Sequence, residues 1–101
     1  MDATTVKIGF LGFGNMASAI ADGWLMAGTV PAEHLYACAK RYGVLRERTG
    51  TRGMQACATA EELVDAVDIV VVAIKPYLIE TVLPPLAERL AGKVVVSVAA
   101  G

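Results

Sequence analysis

The sequence predicts an α/β fold, in which helices flank a doubly wound, mainly parallel sheet of about five strands. Short apolar runs rich in valine and isoleucine alternate with segments of helical periodicity, a pattern typical of βαβ units. Right-handed crossovers between such units place helices on both faces of the sheet. The 101 residues suit one domain, and 55% are apolar without counting glycine. This surplus indicates that a second domain or a partner subunit covers some apolar surface.

The first predicted unit is a strand, a glycine-rich turn and a helix. Residues 6–11 form a short apolar run that ends in glycines and predicts a buried strand. Asn15–Ala27 carries apolar side chains at helical spacing. Gly28, followed by Pro31, is a natural end for this helix.

The middle of the chain predicts two short strands and two helices. Strands are expected at 35–39 and 54–57, with a short helix around 44–48 between them. Thr59-Ala60-Glu61-Glu62 matches a capping box, in which the Thr59 hydroxyl accepts from the Glu62 N–H and the Glu62 carboxylate reaches back. The helix that follows is expected to end near Val67.

The last part of the chain predicts two further strands around a broken helix. Residues 68–74 are nearly all apolar and indicate a strand buried on both faces. A helix over 78–90 is interrupted at Pro84-Pro85 and ends at Gly92. Residues 94–98 are a β-branched run, predicted to be a core strand, and the chain ends directly after it. We therefore expect residues 1–101 to be one domain of a longer protein.

Composition argues against several classes of protein. A net charge of −1 is unlike the basic footprint of a nucleic-acid-binding domain. The N-terminus lacks a basic signal-peptide region, and no apolar run approaches the roughly 18 residues of a membrane span. Cys38 and Cys57 form no CxxC pair and have no clustered histidines, so we expect buried, reduced thiols in a cytoplasmic protein without a metal site. Trp24 is expected to pack in the core or an interface, and His34 to be solvated.

The glycine-rich turn carries the first functional motif. Gly12-Phe13-Gly14-Asn15-Met16-Ala17 fits G-x-G-x-x-A between a strand and a helix, the context required of a Rossmann-type dinucleotide site. Gly12 permits the tight turn, Gly14 lets the backbone approach a pyrophosphate, and Ala17 permits close packing of the helix on the strand. The alternative is a glycine-rich turn that binds no ligand.

The end of the second strand indicates which dinucleotide is bound. NAD-selective sites place a carboxylate there, whereas NADP-selective sites offer a cation. Here Lys40 and Arg41 follow the strand, and Arg41 is the better phosphate ligand because its guanidinium is planar and forked. The alternative is a solvated basic helix, which is the interpretation we adopt for Arg48 and Arg52.

The carboxyl ends of the fourth and fifth strands are expected to border the nicotinamide, because ligands of open α/β sheets lie beyond that edge. These ends are Ala73-Ile74-Lys75-Pro76 and Ala99-Ala100-Gly101. Pro76 disfavours a helical conformation of Lys75. The alternative for Lys75 is an ordinary surface lysine at a helix start. No Ser/His/Asp set or carboxylate pair stands out, and hydride transfer needs none, because the cofactor supplies the reducing power.

Four segments together resemble one family. "IGFLGFGNMASAI", Lys40-Arg41, "DIVVVAIKP" and "VVVSVAAG" are similar, over nearly the whole chain, to the N-terminal domain of pyrroline-5-carboxylate reductase. The resemblance implies NAD(P)H-dependent reduction of the cyclic imine 1-pyrroline-5-carboxylate to proline, the last step of proline synthesis. It also implies a homo-oligomer, built by a helical C-terminal domain that is absent from this chain. Tyr77 and Ala60 depart from the polar residues common at those positions.

The resemblance also implies which residues bind the cofactor. The diphosphate turn would be lined by Phe10, Gly12, Phe13, Gly14, Asn15 and Met16. Lys40 and Arg41 would meet the adenosine 2′-phosphate. The nicotinamide half would be bordered by Ala73, Ile74, Lys75, Pro76, Ala99, Ala100 and Gly101.

We therefore expect the chain to bind NADPH without turnover on its own, the imine being the substrate of the longer enzyme. Two alternatives stay open. One is the cofactor-binding half of another two-domain NADP reductase, of the β-hydroxyacid dehydrogenase or deazaflavin-dependent kind. The other is a non-catalytic nucleotide-binding module.

Overall fold

A computed structural model describes residues 6–98 and contains one five-stranded sheet. All neighbouring strands are parallel, in the order β3-β2-β1-β4-β5. The strands are β1 (Ile8–Leu11), β2 (Leu35–Cys38), β3 (Gln55–Cys57), β4 (Ile69–Val72) and β5 (Val94–Ser97). The chain runs outward from β1 through β2 to β3, then returns to add β4 and β5 on the other side. The predicted doubly wound α/β fold is confirmed, and the strand order reverses beside β1.

Five helices connect the strands. They are α1 (Asn15–Ala27), α2 (Tyr42–Gly50), α3 (Ala60–Ala66), α4 (Pro76–Val82) and α5 (Ala87–Leu90), with 3-10 turns at Ala32–His34 and Pro84–Leu86. Helix α2 is longer at both ends than the predicted 44–48. Helix α4 begins at Pro76, two residues earlier than predicted, because proline is well tolerated at the first helical position. The predicted break at Pro84 is confirmed.

The two faces of the sheet bury two separate cores, because successive strand side chains point to opposite faces. Phe10 of β1 lies in the core under α1 and α2, with Leu45. Its neighbour Leu11 lies in the opposite core, with Leu63 of α3 and Leu86. The two cores hold the ends of β1, β2 and β4 at one edge, where Leu11 is paired with both Cys38 and Val72.

Gly9 explains how closely α3 approaches the sheet. A Cβ built on Gly9 would lie 2.8 Å from Leu63 Cδ1 and 3.1 Å from Val67 Cγ1. The N-terminus of α3 is capped as predicted, since Thr59 Oγ1 accepts from the Glu62 N–H at 3.1 Å. The return bond from the Glu62 carboxylate is not formed among residues 6–98. Only half of the predicted capping box is therefore present.

The prediction that β5 is a core strand is wrong. Val94, Val95 and Val96 are 57%, 43% and 43% exposed. Strand β5 is the edge of the described sheet and pairs only with β4. The apolar run therefore correctly indicates a strand, but burial depends on what lies beside it.

Two aromatic side chains outside the predicted site were also assigned from sequence. Trp24 packs on Phe10 with ring centroids 5.7 Å apart, which confirms its structural role. The expectation that His34 is solvated is wrong. Its Nδ1 is buried and has no hydrogen-bond partner among residues 6–98. None of the helices in this described region is long and apolar enough to cross a membrane.

Candidate functional site

The turn between β1 and α1 lies against the ends of two other strands. Gly12 has a φ of +95°, and its N–H donates to the Cys38 carbonyl at 2.9 Å. A Cβ on Gly12 would lie 3.0 Å from the Ala73 carbonyl oxygen and 2.9 Å from Ile74 Cγ2. Both the backbone conformation and the close approach to β4 therefore require glycine at this position.

Gly14 has a different role, because open space surrounds it. A Cβ on Gly14 would meet no heavy atom of residues 6–98 within 4 Å, and its φ of −87° is accessible to any residue. Its carbonyl accepts from Ser18 Oγ at 2.7 Å. No side chain caps α1 at Gly14, and its first turn contains no acidic residue. The helix thus presents free N–H groups and the positive end of its dipole to this open space.

Three adjoining cavities surround the glycine turn and together form one trough. We call them the turn cavity (about 230 Å³), the apolar cavity (about 250 Å³) and the cationic cavity (about 540 Å³). Gly14 and Lys75 line both the turn cavity and the cationic cavity. Lys40 lines both the cationic and the apolar cavity. The trough follows the carboxyl edge of the sheet, where an open α/β sheet binds its ligands.

The cationic cavity concentrates positive charge. Its lining is Phe13, Gly14, Ala39, Lys40, Arg41, Val44, Leu45, Arg48 and Lys75. No acidic side chain of residues 6–98 lines it. The ion pairs formed within residues 6–98 are Arg52–Asp22 and Arg89–Asp65, so none of the four cations of the cavity is neutralised by a carboxylate of the described chain. Such a cavity suits a phosphate group.

The apolar cavity has small and aliphatic walls. It is lined by Leu11, Gly12, Cys38, Ala39, Lys40, Ala58, Ala60, Ile74, Leu78 and Val82. Burial raises the pKa of the Cys38 thiol to about 11, and burial has the same effect on Cys57. At neutral pH both side chains are therefore uncharged thiols without nucleophilic character.

The turn cavity lies between the start of α1 and the end of β4. Gly14, Asn15, Met16 and Ala17 line one side, and Ala73, Ile74, Lys75 and Val98 the other. Lys75 is extended, with φ −60° and ψ 140°, as the sequence predicted, and Pro76 begins α4 directly after it. No group of three or more His, Cys, Asp or Glu side chains in residues 6–98 is placed to hold a metal ion.

The structure brings most of the predicted site residues to the trough. Those that line it are Gly12, Phe13, Gly14, Asn15, Met16, Lys40, Arg41, Ala73, Ile74 and Lys75. Phe10 is an exception, because it is fully buried and packs on Phe13 with ring centroids 5.6 Å apart. It supports the turn from below instead of lining it. Pro76 is exposed and lines none of the three cavities. Ala99, Ala100 and Gly101 lie outside the described residues.

Two arginines were wrongly interpreted as solvated surface residues. Arg48 lines the cationic cavity, and its Nη1 donates to the Phe13 carbonyl at 3.4 Å. Arg52 pairs with Asp22, and its guanidinium carbon lies 5.6 Å from the centroid of the Phe13 ring. The spacing of Arg41, Leu45 and Arg48 is the signal that could have placed Arg48 at the site, because residues three and four apart share a helix face.

Comparison with known proteins gives the family. Residues 7–101 match the model of a family described as NADP oxidoreductase, coenzyme F420-dependent. The chain belongs to this family. The chain is also similar to curated proteins named pyrroline-5-carboxylate reductase. Pyrroline-5-carboxylate reductase of Treponema pallidum is 42% identical over 96 residues, which cover 95% of this chain and 36% of that protein. The Arabidopsis thaliana enzyme is 33% identical over 102 residues, with 98% and 36% coverage. The chain thus spans about a third of the length of these relatives.

Solved structures agree with the family assignment. Pyrroline carboxylate reductase of Plasmodium falciparum with NADP bound superposes with a TM-score of 0.82 at 29% identity, covering 94% of this chain and 34% of that one. The Streptococcus pyogenes 1-pyrroline-5-carboxylate reductase gives a TM-score of 0.73 at 36% identity, with 95% and 34% coverage. The resemblance to pyrroline-5-carboxylate reductases expected from the sequence is confirmed.

Proposed function

We propose that this chain is the NADP-binding domain of an oxidoreductase that reduces 1-pyrroline-5-carboxylate to proline. The observation that carries the proposal is the trough, in which cations without carboxylate partners follow β2 and an open glycine turn begins α1. The cations of the trough and the N–H groups at the start of α1 would complement the phosphate groups of NADPH. Relatives of this chain, from Treponema pallidum and Arabidopsis thaliana, carry the name pyrroline-5-carboxylate reductase.

Each part of the trough has a role in this proposal. The first N–H groups of α1, at Asn15 and Met16, would hold the diphosphate over Gly14. Lys40 and Arg41 would hold the 2′-phosphate. The apolar cavity would hold the adenine ring, and the turn cavity, with Ala73, would border the nicotinamide half.

The role proposed for these residues is to position the cofactor. NADPH supplies the hydride when bound, and the trough orients it and keeps its anionic groups paired. The imine site and the contacts between subunits of a homo-oligomer belong to a C-terminal domain in this proposal, so the chain alone binds NADPH without turnover. A cytoplasmic location accords with Cys38 and Cys57, which are buried and not joined by a disulfide.

Binding is tested by isothermal titration calorimetry of the chain with NADPH and NADH. We expect tighter binding of NADPH. Arg41→Glu should remove most of this preference, because it places a carboxylate where the 2′-phosphate would lie. Arg46→Glu is the matched control, since Arg46 lies on α2, five residues after Arg41, but lines a different cavity. Equal affinity of the wild type for both cofactors would refute NADP selectivity.

The reaction is tested on the longest natural protein that contains these residues. NADPH oxidation that depends on 1-pyrroline-5-carboxylate would support the proposal. The family description favours one second candidate, a reductase that exchanges hydride between NADP and coenzyme F420. The same protein should therefore also be assayed with reduced F420 and NADP. Activity only in that assay would replace the proposed reaction, and activity in neither would favour a nucleotide-binding module.

A further inference from the structure

We propose that Arg48 is a third cation for the 2′-phosphate and contributes to the preference for NADPH, while Arg52 holds the backbone that carries Arg48. This inference rests on the proposed function, because it concerns the phosphate that distinguishes NADPH from NADH. Arg48 lies on α2 and would join Lys40 and Arg41, which follow β2 directly. The sequence alone indicated that Arg48 was solvated.

The first support is where Arg48 lies. It is on α2, half-buried, and lines the cationic cavity together with Lys40 and Arg41. Its Nη1 donates to the carbonyl of Phe13, the residue between the two glycines of the turn. The guanidinium therefore lies between the end of β2 and the start of α1, where a dinucleotide passes in this fold.

The second support is that Arg48 uses little of its hydrogen-bonding capacity on the described part of the chain. A guanidinium carries five N–H donors. Within residues 6–98 the side chain makes one hydrogen bond, and its length of 3.4 Å is well beyond the usual N–H···O distance of about 2.9–3.0 Å. A phosphate is a stronger acceptor, which arginine can bind through two parallel bonds. The donors of Arg48 are therefore available to an anion in the cationic cavity.

The third support is the contrast with Arg52, one helical turn further along the chain. Arg52 Nε and Nη2 donate to the Asp22 carboxylate at 2.6 Å and 3.1 Å, and its Nη1 donates to the Arg48 carbonyl at 2.8 Å. Its guanidinium also lies over the Phe13 ring. Arg52 is thus neutralised by Asp22 and joins the end of α2 to α1 and the turn. This arrangement fixes the backbone that carries Arg48.

The test compares the binding of 2′,5′-ADP and 5′-AMP, which differ only in the 2′-phosphate. For the wild-type chain we expect tighter binding of 2′,5′-ADP. Arg48→Gln should weaken 2′,5′-ADP binding by about tenfold or more, the range of one charge-assisted hydrogen bond, and leave 5′-AMP binding unchanged. Arg48→Lys should recover part of the loss. Arg46→Gln, the control on the same helix, should bind both nucleotides as the wild type does.

The outcomes separate this inference from the proposed function. Equal wild-type affinity for the two nucleotides would overturn NADP selectivity and the role of Arg48 with it. A clear wild-type preference that persists within twofold in Arg48→Gln would overturn the role of Arg48 alone. An equal loss of both nucleotides would show that Arg48 acts on the turn and not on the 2′-phosphate, which also overturns the inference. Thermal unfolding of each variant establishes that the compared proteins are folded.

Discussion

Arg52 and Asp22 join α2 to α1 through two hydrogen bonds between one guanidinium and one carboxylate. The hydrogen bond from Arg52 is the main reason why the pKa of Asp22 lies below its ordinary value, and the charge of Arg52 adds to the effect. The same pair raises the pKa of Arg52. The pair therefore stabilises the contact between α1 and the end of α2, the helix that lines the cationic cavity, provided that Asp22 is ionised.

Asp22→Asn should lower the melting temperature at pH 7 but not in acid. Because the pKa of Asp22 is lowered on folding, its contribution is present above the unfolded pKa of about 3.9 and is lost as the pH falls through the folded value. Thermal unfolding of the wild type and the variant at pH 7 and pH 2 measures this. Asp65→Asn is the control, because the Asp65–Arg89 pair is exposed and such pairs contribute little. A difference from the wild type that persists undiminished in acid would contradict the assignment.

Gly12→Ala should destabilise the fold. Its left-handed backbone disfavours a side chain, and the new Cβ would press on the Ala73 carbonyl. The backbone conformation alone costs on the order of 1–3 kcal/mol for a residue other than glycine. Urea unfolding followed by circular dichroism gives the change in free energy. An unchanged unfolding midpoint would show that the turn can relax away from β4.

Gly14→Ala should have the opposite profile, with intact stability and weakened NADPH binding. The backbone of Gly14 suits alanine, and no atom of residues 6–98 obstructs the new Cβ. The free energy of unfolding is therefore expected to rise by about 0.4–1 kcal/mol, because alanine makes the unfolded chain less flexible. The added methyl group would project into the space assigned to the diphosphate. Calorimetry with NADPH, alongside the same urea unfolding, separates the two effects. Binding at wild-type affinity would argue that the diphosphate does not approach Gly14.

The two thiols predict a loss of stability at alkaline pH. Folding raises the pKa of Cys38 and Cys57 to about 11, whereas an unfolded thiol has a pKa of about 8.5. The folded chain retains these protons at higher pH, so its stability falls between these values, by up to about 1.4 kcal/mol per pH unit for each thiol. The free energy of unfolding should therefore fall more steeply from pH 8 to pH 10.5 in the wild type than in Cys38→Ala/Cys57→Ala. Equal slopes would mean that the buried thiols do not contribute.

Local sequence was sufficient for the alternation of strands and helices, the turn at Gly12 and the cations after β2. Each of these depends on neighbours in the chain. A positive φ calls for glycine, proline interrupts a helix at Pro84, and β-branched runs favour extended backbone. The same information predicted that Lys75 is not helical. The structure confirms these features, and the tertiary contacts are compatible with the local preferences.

The tertiary structure decided which of these residues face the trough and which are buried. Phe10 lies two residues before Gly12, yet the alternation of β1 directs it into the core. Arg48 and Arg52 look alike in sequence, but only Arg52 lies opposite a carboxylate of α1. Strand β5 has the composition of β4 and is nevertheless exposed, because strand order places it at the edge. Pairing, neutralisation and burial are set by segments that are distant in the chain, so only the packed fold determines them.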